Sequence, residues 1–154
     1  MHFALKNYTF VALDLETTGL DMEKDTIIEI AAVRYHLERE GDTFRAVGME
    51  ERTMLIDPGK KLEENISMIT GITDAMLTGK PKWEEVREKA REFIGDTIIV
   101  GHNVLFDISM LAGHGIDLTE SIALDTFELS EIFSQDAESL NLGFLGKKYD
   151  LPME

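Results

Sequence analysis

The spacing of apolar and polar positions changes period along this chain. From Tyr8 to Leu15, YTFVALDL, apolar, aromatic and β-branched residues run almost unbroken. That predicts a strand with apolar character on both sides. Thr17-Thr18-Gly19-Leu20-Asp21 is the turn that ends it. Residues 26–37, TIIEIAAVRYHL, predict a second strand, apolar at first and polar toward its end. Glu38 to Asp42 contains Glu-Gly-Asp, a hairpin-type break. A third strand is expected over 43–56, TFRAVGMEERTMLI, with Gly48 and Glu50-Glu51-Arg52 marking a bulge or an exposed stretch. Asp57-Pro58-Gly59 stops it.

Beyond that point the period becomes helical. Trp83, Val86, Ala90, Phe93 and Ile94 fall on one stripe. Glu85 and Lys89 support the helix at i,i+4, the run Glu84 to Glu92 is its solvated face, and Gly95 ends it. Thr97 to Val100 reads as a short buried strand. Asn103 stands where a helix over about 104–113 needs an N-cap, with Val104, Ile108 and Leu111 on its inner side. Asp125-Thr126 caps a further helix, 126–133, and residues 139–149 form a last amphipathic one. This order predicts an α/β domain with an antiparallel hairpin pair, parallel additions and covering helices.

Composition narrows the class. The chain has 154 residues, enough for one domain with a real core. There is no cysteine, which excludes disulfides, thiolate metal sites and a cysteine nucleophile. The start of the chain lacks the pattern of a signal peptide, and no apolar run approaches membrane-spanning length. A cytoplasmic protein with no membrane partner is therefore expected. The net charge of −15 argues against nucleic-acid binding through a broad basic surface. It leaves room for an enzyme that meets phosphates through bound cations, which reverse the local field.

The candidate chemistry begins in the first strand. Asp14 and Glu16 are two apart, so in extended chain they share one face, with Leu13 and Leu15 on the other. Like charges side by side near a buried strand are costly unless a cation lies between them. In Val100-Gly-His-Asn-Val-Leu-Phe-Asp107, Asn103 and Asp107 are four apart and lie on one side of the expected helix. If the short strand neighbours the first, Asp107 reaches Asp14 and Glu16. Three carboxylates without a His or Cys cluster favour a hard ion, Mg²⁺ or Mn²⁺. Such ions on carboxylates and substrate phosphate are an apparatus for phosphodiester hydrolysis.

At these residues the sequence resembles the DEDD 3′–5′ exonucleases of the ribonuclease H-like superfamily, which includes polymerase proofreading subunits and ribonuclease T. VALDLETTGL is similar to the family's first motif, GHNVLFD to its second, and Ile69-Thr-Gly-Ile-Thr73 to its nucleotide-side loop. Asp125-Thr126-Phe-Glu-Leu and Ser139-Leu-Asn-Leu-Gly-Phe-Leu are similar to the stretch that follows. The likeness covers about residues 8–150. It implies a mixed five-stranded sheet flanked by helices, in a single exonuclease-like domain over 1–154. It also implies two divalent ions, Mg²⁺ or Mn²⁺, held by Asp14, Glu16 and Asp107, which are the catalytic residues. The implied partner is a single-stranded nucleic-acid 3′ end, DNA or RNA, with a polymerase or a second copy of the chain left open.

The resemblance further implies substrate contacts. Thr17, Thr18, Gly19 and Leu20 would meet the terminal nucleotide, with backbone approach at Gly19 and an apolar wedge at Leu20. Met68, Ile69 and Thr70 would line the other side of the pocket. Phe106 would stack near a base, and Asn103 would hydrogen-bond the strand. His102 is counted with these substrate-binding residues, as a supporting residue of the site, with a packed histidine as the other reading. The departure from the pattern is the third motif: no His lies after His114, and Tyr149-Asp150 has the wrong spacing for the tyrosine subclass. The expectation is a C-terminally truncated domain with impaired activity, since loss of a general base costs ~10²–10⁴ in rate.

Blander roles stand beside these. Asp107 alone fits a helix first turn, and Leu20 and Phe106 fit a core. His36 and His114 fit surface or capping positions, and Asp125 an N-cap ahead of any metal role. Glu29, a polar residue in an apolar strand, has no assigned partner. Two other functions remain in view. One is a catalytically inactive nucleic-acid-binding or scaffolding module. The other is a ribonuclease H-like endonuclease or transposase core, against which the Thr-Thr-Gly-Leu turn speaks.

Overall fold

The structure, a computed structural model, describes residues 7–151. The leader features weighed at the start of the chain and the departure read at Pro152-Met153-Glu154 extend outside these residues. Five strands form one mixed sheet: β1 (Thr9–Thr17), β2 (Ile27–Glu40), β3 (Thr43–Leu55), β4 (Ile98–Gly101) and β5 (Ala123–Asp125). Their order across the sheet is β3-β2-β1-β4-β5. β1 runs antiparallel to β2 and parallel to β4, and β4 runs parallel to β5. The helices are α1 (Glu64–Thr70), α2 (Asp74–Leu77), α3 (Trp83–Ile94), α4 (Val104–Gly113), α5 (Thr126–Phe133) and α6 (Leu142–Lys148).

The pleat of β1 sorts its residues. Val11, Leu13 and Leu15 are buried on one face, and Leu13 and Leu15 register with Ala32 and Ile30 of β2. Trp83, Val86, Ala90 and Ile94 of α3 and Val104, Ile108 and Leu111 of α4 close over that face in one core. Each of the Val, Leu and Ile side chains among them contributes ~1.5–3 kcal/mol on burial. The Trp83 indole N–H donates to the carbonyl of His114 at 2.7 Å and ties the start of α3 to the end of α4. His114 Nδ1 stands 2.8 Å from the carbonyl of Met110, a capping position as expected.

Several boundaries differ from the sequence expectation. The β2–β3 hairpin is longer than predicted, with only Gly41 and Asp42 outside the strands. Pairing through Glu40↔Thr43 offsets the polar composition there. The fifth strand, Ala123–Asp125, has no hydrophobic run of its own and exists because β4 offers it a free parallel edge. The segment expected as a nucleotide-side loop lies partly in helix: Ile69 and Thr70 end α1, which stops at Gly71 in the left-handed region. The last helix starts at Leu142 rather than 139, because the Asn141 side chain accepts the Phe144 N–H at 2.7 Å and caps it there.

A one-residue slip matters for the site. Glu16 pairs with Glu29 but Thr17 pairs with Ile27, so Ile28 is the extra residue of a bulge. Ile28 packs into a second small core with Ile72 and Leu77, which anchors the α1–α2 segment beside the end of β1. Among the described residues no helix is long and apolar enough to cross a membrane.

Candidate active site

Asp14 and Glu16 project from β1 on the face opposite Leu13 and Leu15. Asp14 is exposed and Glu16 half-buried. A groove of about 430 Å³ opens on this face, lined by Ala12, Asp14, Ala31, Val33, Val100, His102 and Leu142 among others. Asp107 arrives from the first turn of α4. The parallel pairing of β4 with β1 extends only from Phe10 to Ala12, so the Leu15 N–H lies beyond that ladder. Asp107 Oδ1 accepts it at 3.0 Å. The bond sets the buried Asp107 carboxyl on the backbone between Asp14 and Glu16. Gly101 makes this approach possible: a Cβ there would stand 2.9 Å from the Leu13 carbonyl and 2.7 Å from Val104 Cγ2.

The site's carboxylates act on one another electrostatically. Burial raises the Asp107 pKa to about 7, with Asp14 and Glu16 adding to the rise and the Leu15 N–H opposing it. Partial burial raises Asp14. Glu16 is raised by burial, then by Asp14 and by Glu29. Glu29, unassigned in the sequence, stands directly opposite Glu16 in the β1–β2 register and is itself raised by burial and by Asp14. Its one visible signal was being the sole charge in Ile27–Val33.

The Thr17–Asp25 turn is locked by its own side chains. Thr17 Oγ1 donates to the Gly19 carbonyl at 2.7 Å, and Thr18 Oγ1 donates to Asp25 Oδ1 at 2.8 Å. Asp25 also accepts the Asp21 N–H at 3.0 Å. Its carboxylate lies against Gly19, where any Cβ would overlap it. The need for glycine therefore arises inside the protein, and Thr17 and Thr18 build the turn with their hydroxyls. Asp25 was missed in the sequence; its signal is the i,i+4 spacing from Asp21. At the tip, Leu20 is 80% exposed, and Met68 and Ile69 of α1 are 79% and 78% exposed. Thr70 is turned inward, donating to the Ile66 carbonyl and accepting the Ile72 N–H.

The start of α4 carries the remaining candidates. Asn103 adopts φ 61 and ψ 38, a left-handed conformation that Asn tolerates better than most residues. Its side chain makes no cap bond, contrary to the expected N-cap; its N–H instead donates to Asp125 Oδ1 at 3.0 Å. The same Asp125 oxygen accepts the Phe127 N–H at 2.8 Å, so Asp125 is an N-cap as expected and ties two helix starts together. Asn103 is left with an exposed side chain. Phe106 is half-buried and packs against the core.

His102 Nδ1 lies 3.1 Å from Thr126 Oγ1, whose one proton goes to the Gly101 carbonyl. His102 Nδ1 therefore donates, and its buried Nε2 has no hydrogen-bond partner among the described residues. His36 is exposed, as expected.

Among the described residues no group of three His, Cys, Asp or Glu side chains is arranged to hold one ion. The donor set still fits a hard divalent cation. Asp14, Glu16 and Asp107 are all oxygen donors, each raises or feels the charge of another, and no basic side chain lowers any of their pKa values.

Comparison with known proteins gives this arrangement a family. The family model described as Exonuclease, of ribonuclease T type, matches residues 11–153. A DNA polymerase III of PolC type from Staphylococcus epidermidis is 37% identical over 153 residues, 97% of this chain and 10% of its own length. The chain thus spans about a tenth of the curated relatives it matches. Among solved structures, Exonuclease X in complex with 5′-overhanging duplex DNA covers 94% of this chain and 75% of its own, with TM-score 0.67 and 23% identity. The zinc-bound E. coli ExoI–ssDNA complex covers 96% of this chain and 36% of its own, with TM-score 0.76 and 18% identity. The five-stranded mixed sheet with flanking helices is the ribonuclease H-like fold of these neighbours. With the family model running through both acidic motifs, this chain belongs to the exonuclease family of the DEDD superfamily.

Proposed function

We propose that this exonuclease domain hydrolyses the terminal phosphodiester bond at the 3′ end of single-stranded DNA, using two divalent cations. The observation that carries the reading is the Asp107–Leu15 bond, which seats a carboxylate from α4 on the backbone amide that lies between Asp14 and Glu16 in the chain. The DNA named for the ExoX and ExoI neighbours and the polymerase relatives supports DNA as substrate.

Asp14, Glu16 and Asp107 would hold the ions. When bound, Mg²⁺ or Mn²⁺ supplies positive charge to the phosphate oxygens and lowers the pKa of a nucleophilic water. The chain's own part is positioning. The locked turn presents the Leu20 side chain, and Met68 and Ile69 offer a second apolar surface; between them a terminal base can leave water. The exposed Asn103 amide is free to hydrogen-bond the strand, held at its left-handed backbone by Asp125. Single strands are bound in this way without base-edge readout.

The test is a 5′-labelled oligonucleotide with a 3′ overhang, incubated with the protein and Mn²⁺. Stepwise shortening from the 3′ end, absent in EDTA and in Asp14→Asn, is expected. No shortening by the wild type, or equal shortening by Asp14→Asn, overturns the proposal.

A further inference from the structure

Resting on the metal-dependent reading above, we infer that Glu29 is a positioning residue of the same cation site, an additional carboxylate contributed by β2 opposite Glu16. The register places it there: Glu16 pairs with Glu29, and Asp14 pairs with Ala31 two residues on, so Glu29 is also the diagonal neighbour of Asp14. The three carboxylates occupy one face of two adjacent strands. Like charges directly opposite on a sheet are destabilising. Glu29 is half-buried, so it cannot escape into water as a surface glutamate would.

Among the described residues no basic side chain forms an ion pair with Glu29, whose place in the register puts it on the same sheet face as Asp14 and Glu16. The surface carboxylates differ: Asp21 faces Lys24 at 2.6 Å, Asp57 faces Lys82 at 3.0 Å and Asp136 faces Lys148 at 2.8 Å. A structural glutamate in this sheet would be expected to find such a partner. Glu29 instead lies beside Asp14 and Glu16, where a bound cation would offset all three charges.

Glu29 adds a further negative charge beside Asp14 and Glu16 on the same face of the sheet. Its place on the neighbouring strand suits it to hold Glu16 and the water around the cation rather than the reacting phosphate. Outer-shell partners of metal sites typically contribute about 10–100-fold in metal affinity.

The experiment titrates Mn²⁺ alone into wild type, Glu29→Gln, Glu29→Asp and Asp14→Asn by calorimetry, and follows thermal unfolding at pH 8 in EDTA. Glu29→Gln is expected to bind Mn²⁺ about tenfold more weakly while melting at or above the wild-type temperature without metal. Glu29→Asp, which keeps the charge, should bind with intermediate affinity. In cleavage assays the Mn²⁺ concentration for half-maximal rate should rise about tenfold in Glu29→Gln, with KM for the oligonucleotide unchanged. Wild-type affinity in Glu29→Gln overturns the inference, as does a metal-free melting temperature well below wild type, which would mark a purely structural role. If wild type binds no Mn²⁺, or Asp14→Asn binds as well as wild type, the metal-site reading itself fails. If wild type binds, Asp14→Asn does not, and Glu29→Gln is unchanged, only the role of Glu29 is excluded.

Discussion

The Asp107 carboxylate accepts the backbone N–H of Leu15 at 3.0 Å, joining positions 92 residues apart. The bond does two opposing things. It satisfies a strand amide that no neighbouring strand reaches, worth about 1.5–3 kcal/mol for a bond to a charged group. It also holds a buried carboxyl beside Asp14 and Glu16, which drives its pKa to about 7. On the proposed function, cation binding and metal-free stability therefore conflict at this residue.

That conflict has a sign. The folded-state pKa of Asp107, about 7, lies above the ordinary value of 3.8, so the native state binds this proton more tightly than the unfolded chain. Stability from this group is greatest at low pH and is lost as pH rises through the window from about 4 to 7. Asp107→Asn keeps an oxygen for Leu15 and removes the charge. In metal-free buffer it should melt several degrees above wild type at pH 8, a gain of roughly 1–3 kcal/mol. The gap should narrow by pH 5 and close only below about pH 4, and cleavage should fall at least ~10²-fold. Melting curves at these pH values check the first part. A variant that melts below wild type at pH 8 contradicts it.

Cation binding should reverse the same repulsion. At about a hundred times its Kd, Mn²⁺ stabilises a protein that binds only when folded by about 2.7 kcal/mol. The melting temperature should rise on adding Mn²⁺ and return in EDTA. The rise should be larger at pH 8 than at pH 5, because protonated carboxyls make poor ligands. Calorimetric scans across pH measure this directly. An effect independent of pH would mean that the ion binds elsewhere.

Gly19→Ala tests the locked turn. The new methyl would overlap the Asp25 carboxylate and push it from Thr18 and from the Asp21 N–H. A loss of roughly 1–3 kcal/mol is expected, as for other overpacked sites. In an Asp25→Ala background the methyl should cost much less. Denaturant unfolding of the four members of this cycle gives the coupling; additive effects would show that Asp25 is not what demands glycine.

Gly101→Ala acts on the backbone. Its methyl would meet the Leu13 carbonyl, which cannot rotate away as a side chain does. β4 must separate from β1, and α4 with Asp107 moves with it. The variant should lose about 1–3 kcal/mol of stability and lose cleavage more severely than Gly19→Ala. Retained activity at wild-type Mn²⁺ requirement would show that the site tolerates the shift.

Leu20→Ala separates binding from folding. The side chain is 80% exposed, so its removal should leave stability within ~0.5 kcal/mol. If it wedges against a terminal nucleotide, KM for a single strand should rise about tenfold with little change in kcat, in line with the apolar area lost. Unchanged KM would remove Leu20 from the binding surface.

The strand period of YTFVALDL, the helical stripe from Trp83 to Ile94 and the two acidic motifs were legible in the residues alone. Local spacing determines which side chains share a face, and that is enough to put Asp14 beside Glu16. It cannot show which distant segments meet. The three-residue β5 has no pattern of its own and forms only on the edge that β4 provides. Asp25 reads as a loop carboxylate until it is seen against Gly19. Glu29 was visible only as an anomaly, because its meaning depends on register, and register is set by the whole β1–β2 pairing and its bulge at Ile28. Thus the chain by itself determined its strands, its main helices and the acidic residues of the candidate site, since those follow from periodicity and side-chain chemistry. Only the tertiary structure decided that Asp107 would sit at Leu15 and Glu29 opposite Glu16, because long-range pairing, not local sequence, brings buried charges to one place.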